Sequence, residues 1–353
     1  IFSSMHRPEL MLLALAAALF HTLNHATFKS LLFLSAGSVI HGTHTRNIEE
    51  YGGLIKCMPM TGLFFLVGSM AISALPPFNG FFSEWLTFQS LFSGLATADS
   101  IARWAFLLAA ASLAVTGGLA LACFVKAFGA AFLARPRSNA AKKAKESARS
   151  MRVGMAGLAA LCLVIGFASA PVASVLLKVS RETTAAQQVT SVVDVSHPQA
   201  LAVGSHGTSV SGPAVLALVA AAPIIVWLVV RYGVNRRQKV ATGDTWDCGT
   251  PLTPRMEITA TGFAHSIILM FQGFIRPTLH HRVEYHSPKN PYLLKSRTVH
   301  MTVRDAYQAH LYKPAYRGMF AVSRQVKRIQ NGNLNAYVLY MFIILILVLV
   351  VEA

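Results

Sequence analysis

Charged residues are scarce in this chain of 353 residues. They make up 13 %, against about 25 % in an ordinary soluble domain. Cysteine is also rare, and the four cysteines (Cys57, Cys123, Cys162 and Cys248) lie far apart with no CxxC pair. This spacing argues against an iron–sulfur cluster, a structural zinc ion or a disulfide framework held by the chain alone. We therefore expect it to bind neither a metal nor another cofactor.

Acidic residues are the rarer of the two charged classes. The chain has 14 Asp and Glu against 31 Lys and Arg, which gives a net charge of +17. On a soluble surface such an excess would favour nucleic acid as the partner. However, apolar residues make up 54 % of the chain, a content that is typical of membrane proteins and excludes a disordered chain. The sequence therefore predicts a membrane protein with basic loops and no nucleic-acid binding.

Long apolar stretches recur along the chain, and a helix needs about 20 such residues to cross a bilayer. Six stretches qualify, so the predicted fold is an all-α polytopic membrane protein. The first two are too long for simple straight spans, and we expect each to extend past the membrane or to be broken within it. The six predicted spans are approximately 9–41, 58–92, 102–133, 152–178, 213–232 and 334–351.

Lys and Arg are distributed unevenly between the loops. Six spans place alternate loops on opposite sides, and Arg181 is the only Lys or Arg in the loops of one side. The positive-inside rule makes the other side cytoplasmic, so both ends of the chain are expected on the outer face. Among the cytoplasmic loops, we expect residues 137–150 to be solvated. The basic loops are 42–57, 134–151 and 233–333, and the outer loops are 93–101 and 179–212.

This topology divides the chain into five parts. Residues 1–178 form a transmembrane core of four spans, and residues 179–212 form an outer loop with little fixed structure. The transmembrane helices 213–232 and 334–353 flank the long basic segment 233–333. Aromatic residues are interleaved with Arg and His in this segment. That pattern favours an amphipathic stretch at the cytoplasmic membrane interface, or a partner-binding surface, over a plain soluble loop.

Three ionisable side chains lie within the first predicted span. His21, His25 and Lys29 follow one another at four-residue intervals, so a helix would place them on one face over roughly 12 Å. Histidine titrates near neutrality and exchanges a proton through either ring nitrogen, and a buried lysine shifts its pKa readily. The row therefore predicts a proton path. The alternative is structural: a lysine that reaches the interface, and histidines packed against neighbouring backbone.

The second predicted span contains the sequence LPPFNGFFSEW, from Leu75 to Trp85. Pro76 and Pro77 have no backbone N–H to continue a helix, so we expect the helix to break here. Broken backbone at bilayer depth is tolerated only where protein or a water-filled cavity surrounds it. Glu84 is then expected in the first turn of the resumed helix, where burial and the helix N-terminus have opposite effects on its carboxyl pKa. This balance favours proton exchange at Glu84; the alternative is a simple helix cap.

Two further lysines fall within or near predicted spans. Lys126 lies about two turns from the cytoplasmic end of the third span, and we include it in the predicted proton path. The alternative is that its side chain extends to the interface. Lys178 lies at the outer end of the fourth span and is expected to anchor it there. The predicted proton path thus comprises His21, His25, Lys29, Glu84 and Lys126.

Three stretches resemble the antiporter-like membrane subunits of respiratory complex I and of Mrp cation/proton antiporters. They are HTLNHATFKSLLFLSAGSVIHG (His21–Gly42), YGGLIKCMP (Tyr51–Pro59) and ISALPPFNGFFSEW (Ile72–Trp85). The sequences LPPFNGFFSEWL and TWDCG (Thr245–Gly249) are more similar to the group-4 membrane-bound hydrogenase branch, of the hydrogenase-4 and formate hydrogenlyase type. The resemblance covers essentially the whole chain, and it implies that the chain is the C-terminal portion of such a subunit.

The resemblance also implies roles for parts of the chain. His21, His25 and Lys29 fall on the family's polar axis, and Glu84 falls on the ionisable position of its broken helix. The family's first proton channel has no counterpart here. Residues 256–330 fall where some relatives have a long lateral helix. This segment contains prolines that argue against one continuous helix, namely Pro277, Pro288, Pro291 and Pro314.

On this basis we expect a proton-translocating subunit of a multi-subunit oxidoreductase in the bacterial inner membrane. Electron transfer would take place in hydrophilic partner subunits, with nickel–iron and iron–sulfur centres in the hydrogenase branch, and this chain would carry out no redox chemistry itself. Other membrane subunits and the lipid bilayer are the remaining expected partners. Two alternatives stay open: a subunit of an Mrp-type Na⁺(K⁺)/H⁺ antiporter, and a membrane anchor that conducts no ions.

Overall fold

The computed structural model of the chain is mainly helical and divides into two units, Ile1–Phe263 and Ala264–Ala353. Most of the TWDCG sequence, residues 245–248, lies outside the described residues, and so does Pro288. The structure describes residues 7–184, 193–194, 200–203, 208–234, 249–250, 252–275, 277–287, 290–303, 305, 307–329 and 332–352.

The described elements are these. The first unit contains α1 (Pro8–Thr43), α2 (Pro59–Ile72), α3 (Asn79–Thr97), α4 (Ser100–Phe132), α5 (Asn139–Lys142), α6 (Arg149–Phe167), α7 (Ser169–Thr183), β1 (Val193–Asp194), β2 (Ala200–Val203), β3 (Thr208–Ser211) and α8 (Gly212–Leu228), which continues as a π-helical turn (Val229–Val234). Then follow α9 (Ala260–Met270), α10 (Gln272–Ile275), β4 (Thr278–Ser287), β5 (Asn290–Thr302), a π-helical turn (Gln308–Tyr312), α11 (Lys313–Ile329) and α12 (Leu334–Glu352).

Five of the described helices are long and apolar enough to cross a membrane. The second predicted span is missing from this set because it is divided into α2, which is too short, and α3, which is long enough but not apolar enough. The predicted all-α polytopic membrane fold is confirmed, with a small sheet and a β-hairpin as additions among the described residues. The five helices are Pro8–Thr43, Ser100–Phe132, Arg149–Phe167, Gly212–Gly233 and Leu334–Val351.

The helix α1 organises the packing of the first unit. It is an unbroken helix of 36 residues, about 54 Å long at 1.5 Å per residue. α2 and α3 run antiparallel to it in succession, because Ser38 of α1 is hydrogen-bonded to Thr61 of α2 and Asn24 is hydrogen-bonded to Asn79 of α3. α6 and α7 also follow α1, and α7 shares a buried apolar cluster with it around Phe20.

The second predicted span breaks at its two prolines, as expected. α2 ends at Ile72 and α3 begins at Asn79. Between them the chain cannot continue as a helix, since Pro76 and Pro77 lack the N–H donors that a helix needs. Ala74 adopts a left-handed backbone conformation, with φ of 51°. The prediction of a broken span is therefore confirmed.

The prediction of a single helix over 152–178 is wrong, because this span is also broken. α6 ends at Phe167, α7 begins at Ser169, and Ala168 lies between them. Pro171 lies in the first turn of α7. Proline is tolerated in the first turn of a helix, but it would interrupt a continuous helix. The chain therefore has two broken spans where the sequence predicts one.

The two breaks lie side by side, halfway along the bundle. A Cβ atom on Gly166 would overlap the carbonyl oxygen of Pro77, so only glycine allows this approach. Asn24, near the middle of α1, contacts Asn79 at the same level. The halfway points of α1, of the α2–α3 pair and of the α6–α7 pair therefore lie at one level, which we call the mid-level of the bundle.

The predicted outer loop at 179–212 has more structure than expected. α7 extends to Thr183, and the described residues beyond it form a three-stranded antiparallel sheet in the order β1-β2-β3. Leu201 and Val203 of β2 are buried in the same cluster as Phe20 of α1. Alternate residues of β2 point inward, which is the normal arrangement for a strand with one buried face. For these described residues, the expectation of little fixed structure is wrong.

The loop at residues 137–150 is solvated only in part: more than half of its residues are exposed, as predicted, but others pack against the start of α2. Ala141 of this loop is buried, and the Glu146 carboxylate accepts hydrogen bonds from the backbone N–H groups of Met60 (2.9 Å) and Thr61 (3.4 Å). The Thr61 hydroxyl donates to the same carboxylate. Glu146 therefore caps α2, because the unpaired N–H groups at a helix N-terminus favour an anionic acceptor.

The basic segment 233–333 is not one lateral helix in its described part. β4 and β5 form an antiparallel hairpin that pairs Thr278 with Thr302 and Ser287 with Asn290. α11 follows, and it is amphipathic, as predicted for this segment. One side of α11 carries the basic residues Lys313, Arg317 and Arg324. The opposite side carries the apolar residues Ala315, Met319 and Val322.

A candidate proton path in the transmembrane core

The row of ionisable residues on α1 crosses the mid-level of the bundle. The rings of His21 and His25 lie 6.1 Å apart between their centroids. Each four-residue step also turns about 40° around a helix, so the row drifts away from a single face. His21 is half-buried, His25 is exposed and Lys29 is half-buried. The two histidines therefore lie together, whereas Lys29 lies about 80° around the helix axis from His21.

His21 connects the row to α3. Its Nδ1 atom lies 3.3 Å from the hydroxyl oxygen of Ser83, which is completely buried. The Ser83 hydroxyl can donate its one hydrogen to the carbonyl oxygen of Gly80, at 3.1 Å. Ser83 accepts from His21 when Nδ1 carries the proton, and it donates to Nδ1 in the other tautomer. The contact fixes the orientation of the ring.

Two asparagines that the sequence analysis did not single out join α1 to the first break. Asn24 Nδ2 donates to the carbonyl oxygen of Asn79 (2.9 Å), and Asn79 Nδ2 donates to Asn24 Oδ1 (3.0 Å). Both side chains are completely buried. The signal for this pair is the amide side chain inside the apolar first span, since a buried polar group needs a partner. The pair holds the start of α3 against the histidine row.

Glu84 does not lie where the sequence predicts it. α3 begins at Asn79, so Glu84 is its sixth residue and lies in the second turn rather than the first. The influence of a helix N-terminus falls off within the first turn, which weakens the expected stabilisation of the anion. The side chain is half-buried, and its Oε2 atom lies next to Gly117 of α4. Glu84 follows Ser83 directly but points toward α4, whereas Ser83 points toward α1.

The structure does not bring Lys126 to the other predicted path residues. Gly117, which faces Glu84, and Lys126 are nine residues apart, which corresponds to about half a turn around α4 and about 14 Å along it. The side of α4 that packs on α2 carries Phe124 and Phe132, whose rings lie 6.4 and 5.3 Å from that of Phe65. Lys126 lies on the opposite side of the helix and is half-buried.

Comparison with known proteins identifies the core in which this arrangement occurs. Residues 2–107 match the family described as the transmembrane part of NADH:quinone oxidoreductase and Mrp antiporters. These residues include the histidine row, both asparagines and Glu84. Residues 2–107 are thus similar to the antiporter-like transmembrane part of this family. The resemblance seen in the sequence is thereby confirmed.

Two curated relatives from Escherichia coli (strain K12) align with much of the antiporter-like chain. Hydrogenase-4 component B is 35 % identical over 99 % of this chain and 51 % of its own length. Formate hydrogenlyase subunit 3 is 36 % identical over 77 % of this chain and 42 % of its own length. The chain thus spans about half the length of the curated relatives that it matches.

A solved structure shows the same fold as the antiporter-like chain. It is that of the membrane-bound sulfane sulfur reductase, described as an archaeal respiratory membrane complex. The matching chain is 21 % identical, with a TM-score of 0.61 over 96 % of this chain and 48 % of the other. At this identity, the comparison supports the overall helical fold and not a particular chemistry.

The antiporter-like core thus brings His21 and His25 together and joins His21 to Ser83 of α3. Glu84 follows Ser83 on α3, near the mid-level, but its side chain faces α4. Such a set can accept, hold and release protons, because imidazole and carboxyl groups both titrate and a buried hydroxyl relays hydrogen bonds. Lys29 extends the row along α1, and Lys126 lies elsewhere.

Proposed function

We propose that this chain conducts protons as part of a membrane subunit in a multi-subunit oxidoreductase of the group-4 hydrogenase or complex I type. Electron transfer in partner subunits would drive proton movement through this core. The observation that carries the proposal is the hydrogen bond between His21 and Ser83 next to Glu84, at a broken helix halfway along the bundle. Ionisable groups at this depth are costly and usually serve ion or proton movement.

The proposed path starts on α1 and ends at α3. A proton moves between His21 and His25, whose rings are close enough for one bridging water. Lys29 exchanges protons with His25 at one end of the row, and Glu84 exchanges them with His21 at the other, through water next to Ser83. The broken backbone at Pro76 and Pro77 supports this assignment, because broken helices in membranes line polar cavities.

The relatives named above support the proposed partners. The matches to hydrogenase-4 component B and formate hydrogenlyase subunit 3 favour the hydrogenase branch, in which hydrophilic subunits would hold nickel–iron and iron–sulfur centres. Neighbouring membrane subunits and lipid surround the chain. The excess of Lys and Arg in alternate loops supports a cytoplasmic position for those loops, in a chain that we assign to the bacterial inner membrane.

A second candidate function is supported by the family itself, which includes Mrp antiporters. A subunit of an Na⁺(K⁺)/H⁺ antiporter would use the same ionisable residues but needs no redox partner. The decisive experiment uses sealed vesicles that contain the assembled complex. An oxidoreductase subunit predicts proton uptake only while an electron donor and acceptor are present. Proton uptake driven by an Na⁺ or K⁺ gradient alone would instead establish the antiporter.

The same vesicles separate conduction from a purely structural anchor. We expect His25→Ala to lower donor-driven proton uptake by about tenfold or more, because a proton-transfer group is lost. His41→Ala is the matched control, since His41 lies at the end of α1 and outside the proposed path. Unchanged uptake in His25→Ala, with the complex fully assembled, would leave only the anchor role.

A further inference from the structure

α11 separates its charged residues from its apolar ones. At about 100° per residue, four Lys and Arg lie within an arc of about 80° around the helix axis, and three apolar side chains lie within about 60° on the opposite side. The helix contains five Lys and Arg in all and no Asp or Glu. We call the two sides the basic face, made of Lys313, Arg317, Arg324 and Lys327, and the apolar face, made of Met319, Val322 and Val326.

The apolar face is bordered by an aromatic pair. Each side chain of the apolar face is more than half exposed. Around the helix axis, Tyr316 lies between Met319 of the apolar face and Lys327 of the basic face, and its ring contacts that of Phe320 at 4.3 Å between centroids. Tyrosine favours the level between water and hydrocarbon, because its ring is apolar and its hydroxyl is polar. The order of residues around α11 therefore matches the order of layers at a membrane surface.

The helix that follows limits the depth of α11. α12 is long and apolar enough to cross a membrane, and only four residues separate it from the end of α11. Four residues reach at most about 14 Å. The headgroup layer on each side of the hydrocarbon is about 5–8 Å thick, so the C-terminal end of α11 lies in or next to this layer. An amphipathic helix at this level lies along the membrane surface, with its apolar side at the boundary of the acyl chains.

Charge favours lipid over protein as the surface that α11 covers. Cytoplasmic loops of membrane proteins are enriched in Lys and Arg, and residues 134–151 of this chain contain six of them against one Glu. Such loops repel the basic face, whichever part of a membrane protein they belong to. The cytoplasmic leaflet, in contrast, carries anionic lipids that attract basic helices.

We propose that α11 binds the membrane surface as an anionic-lipid site. Its apolar face is inserted between the acyl chains, and the long side chains of its basic face bind the phosphate groups of anionic phospholipids around the helix. The proposal depends on the separation of the two faces and on the four-residue distance to α12.

The first test identifies what lies against the apolar face. A photoreactive amino acid replaces Val322 in the assembled complex and is activated in native membranes, and the adducts are identified by mass spectrometry. Ala321 is the matched control, because it is also exposed but lies about 100° around the helix from Val322, away from the apolar face. The proposal predicts phospholipid adducts at position 322 and few at position 321. Cross-links from position 322 to a polypeptide, whether of the same protein or of another subunit, would overturn it.

The second test measures the preference for anionic lipid. The complex with the photoreactive residue at position 322 is placed in nanodiscs that contain phosphatidylglycerol and phosphatidylcholine in equal amounts. Each Lys or Arg near an anionic surface strengthens binding by about fivefold, so phosphatidylglycerol adducts should outnumber phosphatidylcholine adducts by about fivefold or more. Equal amounts of the two adducts would contradict the proposal.

Variants of the basic face test its role in this preference. Arg317→Gln combined with Arg324→Gln should lower the excess of phosphatidylglycerol adducts to about twofold or less, whereas Arg317→Lys combined with Arg324→Lys keeps the charge and should retain the excess. Lys142→Gln combined with Lys143→Gln is the matched control, since it removes the same charge from an exposed loop. An excess that survives in the glutamine variant of α11 would refute the basic face as the headgroup site.

These measurements report on lipid contact and not on proton transport. The inference therefore stands apart from the proposed function. Phospholipid adducts at position 322 support the surface helix even if His25→Ala proves to have no effect on proton uptake. Conversely, protein adducts at this position remove the lipid site and leave the proposed proton path intact.

Discussion

The buried asparagine pair gives the most direct structural prediction. Asn24→Ala removes the two hydrogen bonds between Asn24 and Asn79 and leaves the Asn79 amide N–H groups buried without this acceptor. Hydrogen bonds between membrane helices contribute on average about 0.6 kcal/mol and at most about 1.7 kcal/mol each. A buried unpaired group costs about 1–3 kcal/mol more. We therefore expect Asn24→Ala to lower the free energy of unfolding by about 2–5 kcal/mol.

A double-mutant cycle tests the physical reason for this loss. Asn79→Ala should cost at least as much, because it also removes the acceptor of the Gly80 backbone N–H. The double variant should cost little more than Asn79→Ala alone, because the bonds between Asn24 and Asn79 are already lost in that single variant. The measurement is reversible unfolding of the purified chain in mixed detergent micelles. Thr22→Ala is the control, since the Thr22 hydroxyl bonds only to its own helix and is exposed. Single effects that add within about 0.5 kcal/mol would show that the two asparagines do not act as a pair.

Three further predictions concern other parts of the core. Glu146→Ala should cost about 1–3 kcal/mol in the same unfolding assay, because the N–H groups at the start of α2 lose their acceptor; an unchanged free energy would refute the cap. Gly80→Ala should lower the free energy of unfolding by at least about 1–3 kcal/mol, because its Cβ would overlap backbone atoms. Gly157→Ala should leave this free energy unchanged, because its Cβ would have open space around it. Ser83→Ala should slow donor-driven proton uptake by about two- to tenfold, the equivalent of one hydrogen bond of ~0.5–1.5 kcal/mol, and an unchanged rate would show that the His21 bond is not used.

Much of the helical core could be predicted from the sequence because proline and apolar length have strong local consequences. Pro76 and Pro77 remove two N–H donors in succession, so the first break is visible without tertiary information. The second break was missed, although Pro171 gives a similar signal, because a lone proline is also compatible with a kinked continuous span. The position of Glu84 was wrong by one turn, since the first helical residue after a break depends on the packing of Asn79 against Asn24.

The hairpin and the packed loop were harder to predict. β4 and β5 form a hairpin, but the basic and aromatic residues of this segment indicate an amphipathic interfacial stretch or a partner-binding surface from sequence alone. The lysines around Glu146 predict a solvated loop. The capping of α2 by Glu146 could not be predicted, because it depends on how the N-terminus of α2 packs against this loop. The sequence indicates how deep Lys126 lies in its span, and this depth is why it is predicted in the proton path. The sequence does not indicate which side of α4 packs against other helices, because both sides are apolar.

The most direct test of the proposed proton path is the number of protons taken up per electron transferred in sealed vesicles of the assembled complex. Glu84→Gln removes the titrating carboxyl group and keeps its shape, and Glu182→Gln is the matched control at an exposed position. The path predicts a lower proton-to-electron ratio in Glu84→Gln and an unchanged ratio in Glu182→Gln. An unchanged ratio in Glu84→Gln, at a normal rate of electron transfer, would contradict proton conduction through this core.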